Sequence, residues 1–177
     1  MHKKIPSIFT FISSFEKEEI LNLDQNIGII FRNYNEKVNK KNIYKLKEFC
    51  KVNKRKFFLA NDAKLAFNLN LDGVYIPAFN RTFYAKKYNF KKNFIILGSA
   101  HNITEMKMKE KQGVEVIFLS PLFKTKNYKN GLDIIRFNMI SKICKKKVIA
   151  LGGINKKNIK KLKITNAYGF SGISYFR

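Results

Sequence analysis

An asparagine and an aspartate follow an apolar run in the first half of the chain, at residues 61 and 62. Asp62 is one of only four aspartates, and it stands with Asn61 at the end of the run KFFLA. A carboxylate at the end of a buried strand can hold Mg²⁺ through oxygen ligands, with a bound phosphate completing the coordination shell. The same carboxylate can also cap a following helix. We therefore predict that Asp62 is a metal ligand, an N-cap or both.

Arg32 and His101 also have side chains suited to a binding site. Arg32 follows the apolar run GIIF, where its guanidinium could contact a phosphate in bidentate fashion or form a surface ion pair. His101 is one of two histidines and lies just after Ser99 at the end of another apolar run. Because imidazole titrates near neutral pH, His101 is a candidate general acid or base, and a hydrogen-bonding role in its loop is the alternative.

Two further segments have the features of an anion site. Gly152 and Gly153 follow the apolar run KVIAL, and paired glycines let backbone N–H groups approach a phosphate. A tight turn between a strand and a helix is the alternative interpretation. The loop around Thr125 could close over an anion, or it could be ordinary basic surface. Its lysines are Lys124, Lys126 and Lys129.

The placement of these residues depends on the surrounding secondary structure. Short apolar runs alternate with amphipathic, lysine-rich stretches along the whole chain. We predict eight strands, at residues 7–13, 27–31, 56–59, 73–76, 94–97, 114–119, 147–151 and 169–173. We predict helices at residues 16–23, 42–53, 62–70, 103–112, 132–145 and 156–165, and a loop at residues 80–92.

Eight strands with intervening helices indicate an α/β protein whose parallel sheet closes into a compact (β/α)8 TIM barrel. An open, doubly wound sheet is the alternative, although it would leave exposed edges. The chain has 177 residues, whereas such barrels typically have about 250, so the barrel is shortened and has no helix after its last strand. Active sites of this fold lie at the ends of the strands that the candidate residues follow.

The composition of the chain also allows predictions about its domains, its oligomeric state and its location. No linker rich in proline, glycine or serine is present, so residues 1–177 are predicted to form one domain. A homodimer is one way to cover the barrel surface that the missing helix would leave exposed. No apolar run approaches the roughly 18 residues of a membrane span, and the first residues lack the core of a signal peptide. We predict a cytoplasmic protein without a membrane segment.

The formal net charge of +24 is typical of a protein that binds nucleic acid. However, the basic residues comprise 31 lysines and only 5 arginines, and the lysines are spread along the whole chain. Direct readout of bases favours the planar guanidinium of arginine. A general lysine excess is therefore the favoured explanation, with nucleic-acid binding as an alternative.

Taken in order, the motifs resemble the thiamine phosphate synthase family and its sister group, the thiazole tautomerases. The segments FLAND at 58–62 and DGVYI at 72–76 are similar to the family's I-N-D and A-D-G-V-H-L. GSAH at 98–101 resembles G-x-S-x-H, and LSPLFKT at 119–125 resembles F-G-P-V-F-P-T. ALGGI at 150–154, followed by Asn158, resembles A-I-G-G-I with its later N, and GFSGIS at 169–174 is similar to the last strand of the family.

The resemblance implies a transferase that joins hydroxymethylpyrimidine pyrophosphate to thiazole phosphate and releases Mg²⁺-bound pyrophosphate. The implied cofactor is Mg²⁺, and the implied partners are phosphorylated small molecules. The implied pyrophosphate ligands are Arg32, Asn61 and Ser99, and the implied metal positions are Asp62 and Asn80. The resemblance also implies that Thr125, with Lys126 or Lys129, contacts substrate phosphates. The residues implied to line the thiazole phosphate pocket are Gly153, Ile173 and Ser174.

Some positions depart from the family pattern. Ile30 and Tyr34 replace the glutamine and the phosphate-binding lysine of Q-L-R-x-K, and Asn80 replaces the metal-binding aspartate of G-Q-x-D. The T-x-T-K loop reads TKNY at residues 125–128. A neutral amide adds no charge to a metal site, so Mg²⁺ affinity is expected to fall. The alternatives are a thiazole tautomerase, in which His101 would shuttle a proton without a metal, and a non-catalytic barrel that binds a phosphate ligand.

Overall fold

Eight parallel strands form a closed barrel in the computed structural model, which describes residues 4–34, 40–173 and 175–176. Each strand pairs with the next along the chain, and β8 pairs with β1 through Ile8 with Phe170 and Phe9 with Ser171. The predicted (β/α)8 barrel is therefore confirmed, and the open sheet is wrong. The strands are β1 Ile8–Ile12, β2 Gly28–Phe31, β3 Phe57–Ala60, β4 Gly73–Ile76, β5 Ile95–Ala100, β6 Val116–Leu119, β7 Lys147–Leu151 and β8 Gly169–Ser171.

The helices lie between the strands. In the described residues they are α1 Lys17–Leu21, α2 Lys40–Val52, α3 Ala63–Asn68, α4 Tyr84–Lys87, α5 Ile103–Lys111 and α6 Asp133–Lys142, and a 3-10 helix, Ile159–Ile164, follows β7. No helix follows β8 in the part of the chain that is described, as predicted. The predicted α-helix at residues 156–165 is instead this shorter 3-10 helix.

The prediction of a loop at residues 80–92 is wrong in part, because this segment contains α4. Tyr84 and Tyr88 stack there with ring centroids 6.4 Å apart, and Tyr88 also packs on Phe90 at 5.6 Å. This aromatic packing stabilises a single helical turn. One turn is too short to produce a hydrophobic period in the sequence.

The barrel interior is filled mainly by aromatic side chains. Phe9, Phe11, Phe58, Tyr75 and Phe118 are buried and meet edge to face, with ring centroids 5.0–6.1 Å apart. Edge-to-face contacts are a favoured arrangement of aromatic rings. These rings alternate along the strands with residues that face the helices. They fill the barrel interior beneath the ends of the strands, and we call this layer the floor.

A second apolar layer lies between the strands and the helices. Ile29, Val74 and Ile117 face outward from the barrel and belong to the same buried cluster as Leu46 of α2 and Met106 of α5. Burying one such side chain contributes about 1.5–3 kcal/mol. No helix of the described residues has the length and hydropathy needed to cross a membrane.

Candidate active site

The predicted site residues lie at one end of the barrel, where the strands finish. We call this end the mouth. Arg32 directly follows β2, Asn61 follows β3, His101 follows β5 and Gly152 follows β7. The closed order of the strands therefore assembles these residues around one ring, although they are far apart in the sequence.

Arg32 lies over the aromatic floor of the mouth. Its backbone N–H donates to Ile12 O at 2.8 Å, and its guanidinium carbon lies 4.6 Å from the centroid of the Phe11 ring. A cation over a ring face is attracted by the ring quadrupole. The ion pairs found among the described residues do not include Arg32, so the alternative of a surface ion pair is not supported. The half-buried guanidinium is thus held at the mouth, over the Phe11 ring.

Tyr34 and Phe79 form an aromatic contact at the rim of the mouth. Their ring centroids are 5.8 Å apart and nearly perpendicular, and both rings are substantially exposed. Partial burial and the nearby Tyr75 raise the pKa of Tyr34, while Arg32 acts in the opposite direction. Tyr34 therefore remains a neutral phenol at physiological pH. The position that carries a lysine in the family pattern thus provides no charge here.

The side chains of Asn61 and Asn80 are paired between the neighbouring loops that follow β3 and β4. Asn80 Nδ2 donates to Asn61 Oδ1 at 2.6 Å and to the Tyr84 hydroxyl at 2.9 Å, while Asn80 Oδ1 accepts from the Thr82 N–H at 2.8 Å. Asn61 has a φ of +63°, a conformation that asparagine tolerates better than most residues. The amide of Asn80 is therefore occupied in the loop after β4, and it can offer a metal only the second lone pair of Oδ1.

Asp62 caps α3, as one of its two predicted roles requires. Its Oδ1 accepts the Leu65 N–H at 2.9 Å, and the side chain is half-buried. The second carboxylate oxygen has no protein partner among the described residues. No group of three or more histidine, cysteine, aspartate or glutamate side chains surrounds it in the described part of the chain. Any metal at Asp62 would therefore take most of its ligands from water and substrate.

Ser99 lies in the barrel floor rather than at the rim. The side chain is buried, and it forms a hydrogen bond with the hydroxyl of Tyr75. Burial raises the pKa of Tyr75, with this hydrogen bond acting in the opposite direction. The two hydroxyls are polar groups in a mainly apolar barrel interior.

His101 is held in one orientation by three contacts. Its Nδ1 lies 2.9 Å from Ser120 O, and its ring stacks on Tyr128 with centroids 5.8 Å apart. Its backbone N–H donates to Glu105 Oε2 at 2.7 Å. The Ser120 hydroxyl also lies 3.2 Å from Nδ1, and the shorter contact with the carbonyl oxygen, which can only accept, favours the tautomer that carries its proton on Nδ1. Within the described residues Nε2 has no partner, which leaves it available for proton transfer.

Gly152 and Gly153 form a tightly packed turn against the loop after β6. Both have positive φ values, +95° and +71°, which glycine adopts without strain. A Cβ on Gly153 would lie 2.5 Å from Lys124 O, and Asn158 Nδ2 donates to Gly153 O at 2.8 Å. No acceptor for either glycine N–H is present among the described residues. The alternative interpretation, a tight turn between a strand and a helix, is therefore confirmed. The same turn leaves the backbone N–H groups of Gly152 and Gly153 available for an anion.

The remaining predicted residues lie around the same side of the mouth. Thr125 forms a turn with Tyr128, in which Thr125 N donates to Tyr128 O at 2.9 Å and Tyr128 N donates to Thr125 Oγ1 at 3.1 Å. Lys126 and Lys129 are exposed beside this turn. Ile173 packs against the barrel core. The predicted contact of Ser174 lies outside the described residues.

Sequence reasoning missed Lys109 and Gln112, two polar residues that are buried beneath α5. Lys109 Nζ donates to the backbone carbonyls of Pro77 and Asn80, both at 2.7 Å. Gln112 Nε2 donates to the carbonyls of Asn80 and Thr82 at 3.0 and 2.9 Å. The two side chains therefore support the loop that carries Asn80.

Burial lowers the pKa of Lys109 to about 8, although the carboxylate of Glu105 acts in the opposite direction. The signal that could have revealed the buried lysine is Gly98, which faces α5 from β5. A Cβ at Gly98 would lie 3.1 Å from Lys109 Cδ, so a larger residue would crowd the side chain. A glycine within a strand often marks such a close approach.

Comparison with protein families identifies the chain. A family model described as thiamine monophosphate synthase matches residues 22–176. The “Putative thiamine-phosphate synthase 2” of Aquifex aeolicus is 33% identical over 143 residues, which are 76% of this chain and 75% of that protein. The thiamine-phosphate synthase of Prochlorococcus marinus is 31% identical over 121 residues, which are 67% of this chain and 35% of that protein.

A further relative and a solved structure are also similar to this chain. The chain matches the thiamine-phosphate synthase of Coprothermobacter proteolyticus at 29% identity, over 73% of its own length and 62% of that protein. It thus spans less than two thirds of two of these three relatives. The structure of a thiamine phosphate pyrophosphorylase from Pyrococcus furiosus has the same fold, with a TM-score of 0.76 at 21% identity over 97% of this chain and 87% of that one.

The family model and the relatives confirm the predicted family and class of enzyme, a transferase of thiamine biosynthesis, and the solved structure confirms the fold. The chain belongs to the thiamine monophosphate synthase family.

Proposed function

We propose that the protein joins hydroxymethylpyrimidine pyrophosphate to thiazole phosphate, forming thiamine phosphate and releasing pyrophosphate. One observation carries this proposal: two separate groups of residues that are suited to binding a phosphate follow the strands at the mouth. Arg32 and Asn61 follow β2 and β3, with the carboxylate of Asp62 beside them as the proposed metal ligand, whereas Gly152 and Gly153 follow β7. A reaction between two phosphorylated substrates needs such a pair of anion sites.

The pyrophosphate is assigned to the side of β2 and β3. Arg32 has a half-buried guanidinium and no ion-pair partner among the described residues, so it can contact two phosphate oxygens at once. Asn61 lies next to it around the barrel, with its side chain fixed by Asn80. The phenol of Tyr34 adds a neutral hydrogen-bond donor where the family pattern has a lysine.

Asp62 is the residue proposed to hold Mg²⁺. The carboxylate oxygen of Asp62 that does not cap α3 would supply one anionic ligand, and Asn80 Oδ1 can add a neutral ligand. This donor set fits Mg²⁺, which commonly binds through one or two carboxylates together with substrate phosphates and water. The ion would neutralise charge on the leaving pyrophosphate. With a single carboxylate, the affinity for free Mg²⁺ should be low, so metal and pyrophosphate are expected to bind together.

The thiazole phosphate is assigned to the opposite side of the mouth. The N–H groups of Gly152 and Gly153 would bind its phosphate, and Ile173 would line the same pocket. The contact proposed for Ser174 concerns a residue outside the described part of the chain. Thr125 and the exposed amines of Lys126 and Lys129 would approach the substrates from the loop after β6. Between the two sides, the Ser99–Tyr75 hydroxyl pair and His101 Nε2 are the polar groups that face the reacting atoms.

A direct test measures thiamine phosphate formation with Arg32→Gln against the control Arg136→Gln, which alters an exposed arginine on α6. We expect Arg32→Gln to raise the KM for the pyrimidine substrate by at least tenfold and Arg136→Gln to leave it unchanged. Equal kinetics for both variants would contradict the assignment of the pyrophosphate site.

A thiazole tautomerase is the second candidate, and the geometry of His101 favours it. The ring is fixed through Nδ1 with Nε2 free, as a proton shuttle requires, and the second metal carboxylate is absent. This reading predicts proton exchange at the thiazole carboxylate phosphate without Mg²⁺, lost in His101→Ala. An unaltered exchange rate in that variant would exclude it.

We also propose that the protein acts in the cytoplasm and forms a homodimer. Ile135 and Met139 of α6 and Ile164 of the 3-10 helix are exposed side chains on neighbouring elements, and Asn138 bridges those elements through Ile164 O at 3.0 Å. Light scattering of the purified protein would give its mass, and a monomer at micromolar concentration would contradict the dimer.

A further inference from the structure

The loop after β4 is supported from behind by α5. Three of its backbone carbonyls, those of Pro77, Asn80 and Thr82, accept four hydrogen bonds from Lys109 Nζ and Gln112 Nε2, at 2.7–3.0 Å. Carbonyls of an exposed loop would ordinarily be satisfied by water. Here the donors are two side chains that are 0% and 1% exposed.

A lysine at this position is an unusual choice for packing alone. The position of Lys109 lies between α5 and the barrel, where Met106 and Val114 are fully buried. Burial of an ammonium is unfavourable unless hydrogen bonds compensate for the lost water, and an apolar residue would avoid that requirement. β5 accommodates the side chain by having Gly98 beneath it. The polar contacts to the loop therefore need an explanation other than stability.

The contacts lead directly to the site. Asn80, whose carbonyl is bound by both Lys109 and Gln112, uses its side chain to donate to Asn61 Oδ1 at 2.6 Å. Asn61 in turn precedes Asp62. A continuous chain of hydrogen bonds thus runs from the outer helix through the loop backbone to a proposed pyrophosphate ligand, and each bond in it is 3.0 Å or shorter.

We infer that Lys109 and Gln112 are positioning residues, which hold the loop after β4 so that Asn80 fixes the side chain of Asn61 for binding of a diphosphate. Neither residue touches the substrate. The inference rests on the proposed function in taking Asn61 as a diphosphate ligand.

The test uses Lys109→Met and Gln112→Met in the full-length protein, with Lys107→Met as the matched control. Lys107 lies on the same helix but is partly exposed, and it bonds Glu110 at 3.0 Å and Ile143 O at 3.1 Å. Calorimetry with inorganic pyrophosphate and Mg²⁺ measures binding without requiring turnover. We expect each of the first two variants to weaken pyrophosphate binding about tenfold and the control to leave it unchanged.

Steady-state kinetics separate positioning from a general loss of structure. The KM for pyrimidine pyrophosphate should rise about tenfold in Lys109→Met, whereas the KM for thiazole phosphate should stay within twofold of its original value. Equal changes in both KM values, or unaltered pyrophosphate affinity in both variants, would overturn the inference.

A double-mutant cycle with Asn61→Ala tests the route of the effect. If Lys109 acts through Asn61, adding Lys109→Met to Asn61→Ala should weaken pyrophosphate binding no further. Independent tenfold effects that multiply would overturn the inference even if both residues matter. A wild-type protein that binds pyrophosphate but forms no thiamine phosphate would refute the proposed function and leave this cycle valid.

Discussion

Asp62 combines two roles that single substitutions can separate. Its Oδ1 caps α3 through the Leu65 N–H at 2.9 Å, and its other oxygen is the only carboxylate oxygen proposed to bind Mg²⁺. Asparagine caps helices about as well as aspartate, whereas alanine does not cap, and loss of a cap typically costs about 1 kcal/mol. Asp62→Ala should therefore lower the free energy of unfolding by about 1 kcal/mol, and Asp62→Asn by less than about 0.5 kcal/mol.

Activity should follow a different order from stability. Both substitutions remove the anionic metal ligand, so both should reduce kcat/KM by at least about 100-fold, since a metal stabilises the transition state by several kcal/mol. Urea unfolding gives the stabilities, and thiamine phosphate formation over a Mg²⁺ titration gives the activities. Asp133→Asn is the control, because Asp133 Oδ1 also accepts a backbone N–H at a helix start, from Arg136 at 2.9 Å. An Asp62→Asn protein with wild-type Mg²⁺ dependence would refute the metal role, and an Asp62→Ala protein of unaltered stability would refute the cap.

Two further predictions concern stability. With a pKa of about 8 in the native protein against 10.5 for a free lysine, Lys109 releases its proton first in the folded state, so the free energy of unfolding should rise with pH between these values. The wild type should gain up to about 3 kcal/mol relative to Lys109→Met between pH 8 and 10.5, and parallel pH curves in urea unfolding would contradict the assigned burial. Gly153→Ala should destabilise the protein by more than about 2 kcal/mol, because a positive φ and a Cβ 2.5 Å from Lys124 O combine, whereas Gly113→Ala, at the exposed Gly113 with φ +80°, tests the φ effect alone. Equal melting temperatures for these two glycine variants would refute the role of the close packing.

The strand order and the location of the site could be predicted because both depend on local patterns. Apolar runs mark the eight strands, and parallel strands of a closed barrel necessarily bring Arg32, Asn61, His101 and Gly152 to one end. The cap at Asp62 follows from its position just before a helix. These features need no knowledge of which side chains touch.

The contacts between elements could not be predicted in the same way. The pairing of Asn61 with Asn80 joins side chains 19 residues apart on two different loops, and no local pattern of the sequence indicates it. The burial of Lys109 was hidden because lysine is abundant throughout this chain, so one more lysine on a helix carries no signal. The hydrogen bond between Ser99 and Tyr75 could not be predicted either, because it depends on the inward direction of one side chain of β5.

In the proposed function, the mouth of this barrel forms thiamine phosphate from two phosphorylated substrates. The most direct measurement supplies purified protein with hydroxymethylpyrimidine pyrophosphate and thiazole phosphate, with and without Mg²⁺, and detects thiamine phosphate. We expect product that requires Mg²⁺ and is lost in Asp62→Asn. Folded protein that binds thiazole phosphate, seen as a raised melting temperature, but forms no product at any Mg²⁺ concentration would contradict it.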